Sequence, residues 1–515
     1  MGRFDKLFPL LLIVGCTASG YTTSDASAID SLEDPAFGTD SGDTDADGDD
    51  YVPSEDESDY LALAPAATDQ YVFVANPDRD TLSRIAVGTL AVVTVEVGRI
   101  PSSVQTTRDH RLVVTLDQGD DAVSVVHAES LDVVALEVRD NMNQLSLSPD
   151  GAWAMAWYDP NAESLGSSGG VTSFNEVSFV RTDPATHYPM AVGYDPAGVH
   201  WSEDGTRAVV VSDAVLAVVT LGEGDPERTL IPLVEDDADP PVAEEVVLTP
   251  DGRYAFVRQR GAEELLLVDL DIGVVDRVAV GTDPTDMDVR ADAAYLTVVA
   301  RSARQLWSYD LANPYSDAEV VDFPVDLPFG SISFTGDGQR AVLYTNASAV
   351  AALCFWDVGT TDFDTRSLVK PVASVGLSPE GTTALVFHTR ENAPDANPDD
   401  PFYNRWALTL METDNNGENR LLLPTEPSGY TVTDDDRYGY FILDGHDLLE
   451  MVSFDTLIPT TVSLPSQPAF IGTFPGLDVA WASQAHDLGR ISFYDPETAS
   501  LDTITGFELN GEIDH

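Results

Sequence analysis

Three arrangements in this 515-residue chain could do chemistry. The first is Asp43-Thr44-Asp45-Ala46-Asp47-Gly48-Asp49, alternating carboxylates with a glycine among them. Oxygen ligands suit a hard cation and glycine permits the sharp turn around it, so Asp43, Asp45, Asp47 and Asp49 are candidate calcium ligands. The second, Gly166-Ser167-Ser168-Gly169-Gly170, matches the spacing of a hydrolase nucleophile. That chemistry needs the serine on a strand-to-helix turn. Here the flanking residues read as strands, so the segment reads as a Gly/Ser loop. The third sets carboxylates beside aromatics: Asp395, Asp399 and Asp400 precede Tyr403 and Trp406. A second acidic run holds Asp236, Asp237 and Asp239. Such loops suit a sugar, a cation or a basic protein patch; the plainer reading is a solvated loop.

Other chemistry is thinly represented. The eight histidines are scattered without paired zinc spacing, and His110, His200, His388, His446 and His486 read as turn or edge residues. There is no Cys-x-x-Cys-His for covalent haem. Cys354 lies in the apolar run from Ala349 to Phe355 and reads as a small buried hydrophobe. No catalytic residue and no cofactor is assigned, apart from the candidate calcium. Acidic residues number 88 against 26 basic ones, a net charge of -62. Such a field repels phosphate-bearing partners, which excludes nucleic acid. Only two lysines occur, Lys6 and Lys370.

The N-terminus reads as an address. Arg3 and Lys6 precede an apolar run from Leu7 to Val14, too short to cross a bilayer as a helix but suited to the core of a signal peptide. Ile13-Val14-Gly15-Cys16 resembles the lipobox of bacterial lipoproteins. The resemblance implies a signal peptide over 1–15 and Cys16 as the lipidated first residue of the mature chain. Thr17 after the cysteine implies the outer membrane, facing periplasm or cell surface. With Cys16 acylated, Cys354 has no disulfide partner. Residues 17–60 hold 14 acidic side chains and no Lys or Arg, so 16–60 reads as a lipidated, disordered, flexible tether. Its aspartate run resembles the calcium loops of thrombospondin type-3 repeats. An EF-hand would need glutamate at the twelfth loop position, where Ser54 stands.

The body of the chain must position the loops. From Leu61 onward, short apolar runs alternate with Asp/Gly/Pro turns, and no long helical period appears. Leu147-Ser148-Pro149-Asp150-Gly151 recurs as Leu248 to Gly252 and, with glutamate, as Leu377 to Gly381. Independently, Val97-Gly98-x-x-Pro101-x-x-Val104 recurs from Val192 and from Val280, and more loosely from Leu464. Together with Tyr71-Val72-Phe73-Val74-Ala75-Asn76, these motifs resemble the YVTN-type β-propeller repeat of bacterial and archaeal surface proteins. The resemblance implies an all-β propeller of four-stranded blades over 61–515. About ten modules start near residues 61, 102, 144, 197, 245, 286, 331, 373, 430 and 469, where YVTN-like rings usually have seven blades. With both chain ends near module boundaries, closure is expected from blade packing, without strand exchange.

In such a propeller the loops after the second and fourth strands share one face. That would gather Tyr158–Gly170, Ala393–Asn404 and Glu235–Pro240 there. The leading reading is a binding scaffold at the cell envelope, held to the membrane by lipid alone, for a protein, carbohydrate or cation. Alternatives are a propeller enzyme of lactonase-like or quinoprotein-like type, or a structural envelope component.

Overall fold

The computed structural model describes residues 65–508 except 163, 165–173, 213, 234–242, 260, 291, 324–325, 395, 416, 485 and 487. Forty strands form ten four-stranded antiparallel sheets, each built from four consecutive strands. Among the described residues the only helix is the 3-10 turn Pro77–Arg79. The first strands are Ala66–Ala67, Pro101–Thr106, Gln144–Leu147, Gly198–Trp201, Ala243–Leu248, Pro284–Val289, Ser331–Phe334, Val372–Leu377, Pro427–Val432 and Pro468–Thr473. They lie side by side from blade to blade, whereas fourth strands such as Glu227–Pro232 are mostly exposed at the rim. The ten-module propeller expected from the repeats is the observed architecture.

The Asp-Gly motif works through its side chains. In the first hairpin of blade 3, Ser148 Oγ donates to Asp150 Oδ1 at 2.6 Å and accepts from the Trp153 amide at 3.0 Å. The same carboxylate oxygen accepts from the Ala152 amide at 3.1 Å, and Gly151 turns the corner at φ +69°. Thr107, Ser202, Thr249, Thr335 and Thr433 repeat the bond to an aspartate two residues on. His110, at φ 59°, occupies the glycine position of the blade 2 turn. The turns also stack: a Cβ on Gly205 would sit 2.4 Å from the Asp150 carboxylate of the preceding blade. Glycine is needed there for both dihedral and space.

The Gly-x-x-Pro motif joins one blade to the next. A Cβ on Gly98 would lie 2.6 Å from Asp117. Pro101, Pro284, Pro427 and Pro468 each begin a first strand, a position where a missing N–H is tolerated.

A first strand has one edge that its own sheet leaves unpaired, and unpaired buried backbone is costly. Side chains of the neighbouring blade meet it. Gln105 donates to the Leu145 carbonyl at 2.8 Å and accepts from the Leu147 amide at 3.1 Å. Asp286 accepts from the Ile332 amide at 2.7 Å, and Asp288 from the Phe334 amide at 3.2 Å.

Apolar clusters fill the seam between every neighbouring pair of blades. The seam that closes the ring packs Val72, Ile85 and Val92 of blade 1 against Phe474, Trp481, Phe493 and Phe507. Ser83 Oγ donates across it to the Phe507 carbonyl at 3.3 Å. Among the described residues all ten sheets are sequence-contiguous, so this packing, and no exchanged strand, joins blade 10 to blade 1.

Candidate functional site

Antiparallel connectivity puts the loops after second and fourth strands on one face, and these loops interlock. Arg99, after the fourth strand of blade 1, pairs with Asp120 of blade 2 through Nε and Oδ1 at 2.5 Å. The Ile100 amide donates back to Asp80 at 3.0 Å, and the Asn141 amide to Asp121 at 2.7 Å. The linkers into blades 2 and 3 are thus tied to loops that follow second strands, which gives this part of the face a fixed frame.

The loop of blade 8, between Thr383–His388 and Trp406–Glu412, is held from below by Lys370. This lysine is only 1% exposed. Its ammonium donates to the Arg390 carbonyl at 2.9 Å, to Asn392 Oδ1 at 3.1 Å and to the Phe402 carbonyl at 3.3 Å. Burial, and then the neighbouring Arg390, lower its pKa, while Asp400 works the other way. The neck is closed by Asn392: its Oδ1 accepts from the Asn404 amide at 2.9 Å, and its Nδ2 donates to Asn404 Oδ1 at 2.5 Å. His388 beneath is fully enclosed, with Nδ1 3.2 Å from the Pro371 carbonyl and Nε2 2.8 Å from Thr409 Oγ1. Burial pushes its pKa down to about 4, so it is neutral near pH 7.

On this frame Asp399 and Asp400 are exposed, with the Phe402 amide donating to Asp400 at 2.8 Å. Tyr403 is half-buried at the neck, and Trp406 packs against the apolar seam between blades 8 and 9. The acidic pair therefore faces solvent while the aromatic residues brace the loop. Asp395 lies outside the described residues, as do Asp236, Asp237 and Asp239, the Gly166–Gly170 loop, Cys16, and Asp43, Asp45, Asp47 and Asp49.

The same face carries a feature that sequence reasoning missed. Tyr158 and Phe174 flank the long loop of blade 3, and Tyr194 lies in the linker to blade 4. Their rings form a strip: Tyr158 and Phe174 meet at 6.0 Å, Phe174 and Tyr194 at 6.1 Å. Phe174 is 43% exposed and Tyr194 65%. The Asp195 amide donates to the Phe174 carbonyl at 2.8 Å and locks linker to loop. The available signal was the shared face of the two loop types, since the three residues span 36 positions of sequence.

Near the axis, Arg258 bridges Glu244 at 2.7 Å and Glu245 at 3.0 Å. The cluster is nearly enclosed and charge-paired, which fits a brace between strands. His200, on the first strand of blade 4, is held near pKa 4 by its crowded setting. His200 lies on an edge strand of its sheet, as the sequence reading allowed, whereas His388 ends an inner strand, where its ring nitrogens find partners. Cys354 is buried, with the Thr365 hydroxyl 3.3 Å from its Sγ, and burial raises its thiol pKa. Among the described residues no three His, Cys, Asp or Glu side chains gather as a metal site. None of their helices is long and apolar enough to cross a membrane.

No family model matches the chain, and no curated protein matches it either. Solved structures do. A eukaryotic initiation factor superposes with a TM-score of 0.51 at 9% identity, covering 77% of this chain and 97% of that one. The dihydro-heme d1 dehydrogenase NirN in complex with DHE gives 0.42 at 16% identity, covering 72% and 76%. The Cps50 (Swd1) β-propeller domain of Myceliophteria thermophila gives 0.34 at 15% identity, covering 63% and 97%. At these identities the likeness is one of fold alone.

Proposed function

We propose that the chain is an envelope lipoprotein that displays its ten-bladed ring as a non-catalytic binding scaffold. The face carrying the loops after second and fourth strands meets a cationic partner. The observation that carries this reading is the blade 8 loop. A buried lysine and an asparagine clasp hold its neck, while Asp399 and Asp400 are exposed at its tip. A rigid base under exposed carboxylates raises local negative potential without the ordering cost of a loose loop, and it steers cations to that spot.

Topology supports an orientation. Ala66–Ala67 begins beside the axis on the loop-bearing face, because it runs antiparallel to Tyr71–Asn76. The chain toward an acylated Cys16 leaves from there. The loop face would then look toward the membrane, with the partner between the two.

Two measurements test the reading. Cys16→Ser should move the protein from the membrane fraction to the soluble one. Shortening the loop over 393–400 should weaken binding of a hexalysine peptide at least about five-fold at 0.15 M salt, with circular dichroism still β-rich. Unchanged membrane association rejects the lipid anchor, and unchanged peptide affinity rejects the blade 8 loop as the contact.

A further inference from the structure

The ring handles its half-buried tyrosines in a repeated way. Arg84 stands 4.6 Å over the ring of Tyr71, Arg253 4.8 Å over Tyr254, and Arg290 4.5 Å over Tyr295. Arg437 lies 5.2 Å over Tyr438, and Arg181 covers both Trp153 and Tyr188 at 4.8 and 5.5 Å. In each case a guanidinium takes the negative face of the ring while its stem shields the apolar surface.

The strip of Tyr158, Phe174 and Tyr194 departs from this pattern. Among the described residues no arginine or lysine stands over any of its three rings. Arg139, on the linker into the same blade, is held by Glu176 at 2.8 Å. The loop residues 165–173 include no cation in their sequence. Asp159 and Asp195 flank the rings in sequence, on a chain of net charge -62. Three neighbouring aromatic faces, two of them well exposed, lie on an acidic surface with no cation of their own.

We propose that this strip is a guanidinium-binding surface that receives an arginine-bearing segment of a partner protein. The inference rests on the scaffold reading and names the chemistry of the partner at blades 3 and 4. A planar guanidinium stacks on an aromatic face while its edge donates to carboxylates, and an ammonium does this less well. The strongly negative surface disfavours nucleic acid and anionic lipid as occupants. The rings touch one another edge to face and tilted, which makes a continuous strip for an extended segment and leaves no cage for a single small cation.

The test uses labelled hexa-arginine and hexalysine peptides, read by fluorescence anisotropy on the full chain at 0.15 M salt. Tyr194→Ala and Phe174→Ala should each weaken hexa-arginine about three- to five-fold and change hexalysine by less than about two-fold. Tyr194→Phe, which keeps the ring, should bind hexa-arginine like the parent. Both side chains are exposed, so unchanged thermal unfolding is expected and checks that the ring is intact. Equal loss for the two peptides, or no loss for either, overturns the proposal. So does a neutral oligosaccharide such as chitotetraose whose binding alone is lost in Tyr194→Ala. Hexa-arginine binding that falls on shortening the blade 8 loop but not in Tyr194→Ala overturns this inference and leaves the scaffold standing. The reverse pattern supports the strip and rejects the blade 8 loop as the contact.

Discussion

Replacing Lys370 by methionine keeps the length and apolar stem of the side chain and removes the ammonium. Three acceptors then lose one donor each: the Arg390 carbonyl, Asn392 Oδ1, which keeps the Asn404 amide, and the Phe402 carbonyl, which keeps the Arg405 amide. The Arg390 carbonyl left dry would cost about 1–3 kcal/mol, and the other two lose less. The loop is only half-buried at Asn392 and Phe402, so water reaches part of the site and the burial cost of the charge itself disappears. We therefore expect a net loss of about 2 kcal/mol, confined to the loop, which favours its opening about 30-fold. Hydrogen exchange followed by mass spectrometry should show that gain over 389–405, while amides in Tyr254–Gln259, three blades away, exchange as before. The parent carries a pH signature that the variant lacks. Lys370 has a lowered folded pKa, so the unfolded chain binds its proton more tightly. Its contribution therefore grows as pH rises from the lowered value toward the ordinary 10.5. Unchanged exchange in the loop would show that Lys370 is not its clasp. Loss of protection in all ten blades would show that the lysine braces the whole ring.

Asp117 is fully buried, receives the hydroxyls of Ser124 at 2.6 Å and Thr115 at 2.8 Å, and has its pKa raised by burial to about 6. Its folded value exceeds the unfolded one, so its contribution is complete below about pH 4 and is lost as pH rises through 6, about 3 kcal/mol in all. Asp117→Asn should flatten the stability-pH curve in that window relative to the parent, measured by urea unfolding; parallel curves would refute the assignment. Phe507→Ala empties part of the closing seam, where the ring is 2% exposed, and should cost about 3–5 kcal/mol. Exchange should accelerate in blades 1 and 10 but not in blade 5, and a uniform increase would show that closure does not depend on this seam.

Local rules made the architecture legible in the sequence. A Ser/Thr-x-Asp-Gly turn is specified by atoms within six residues, as the bonds of Ser148, Asp150 and Trp153 show, so each copy marks the first hairpin of a blade. The Gly-x-x-Pro linker is nearly as local: its proline opens the next first strand at Pro101 and Pro284 and stands two residues before it at Pro196. Ten modules follow from those periods. The face that would carry the loops follows from antiparallel alternation. Within the candidate site, the acidic tip at Asp399 and Asp400 was readable because exposure of charge is a property of the residues themselves.

What only the tertiary structure decided depends on positions distant in the chain. Lys370 gave no sign that it clasps a loop 20 to 32 residues on, since its three acceptors are two backbone carbonyls and one side-chain amide that fold back over it. Trp406 looked like a contact residue beside carboxylates, and the fold packs it against the seam with blade 9. Arg258 and its two glutamates, and the ring strip of residues 158, 174 and 194, are brought together by hairpin register and by the angle between blades. Sequence period determines which residues share a sheet; it does not determine which side chains of neighbouring sheets meet, because that depends on the angle at which ten blades must pack to close.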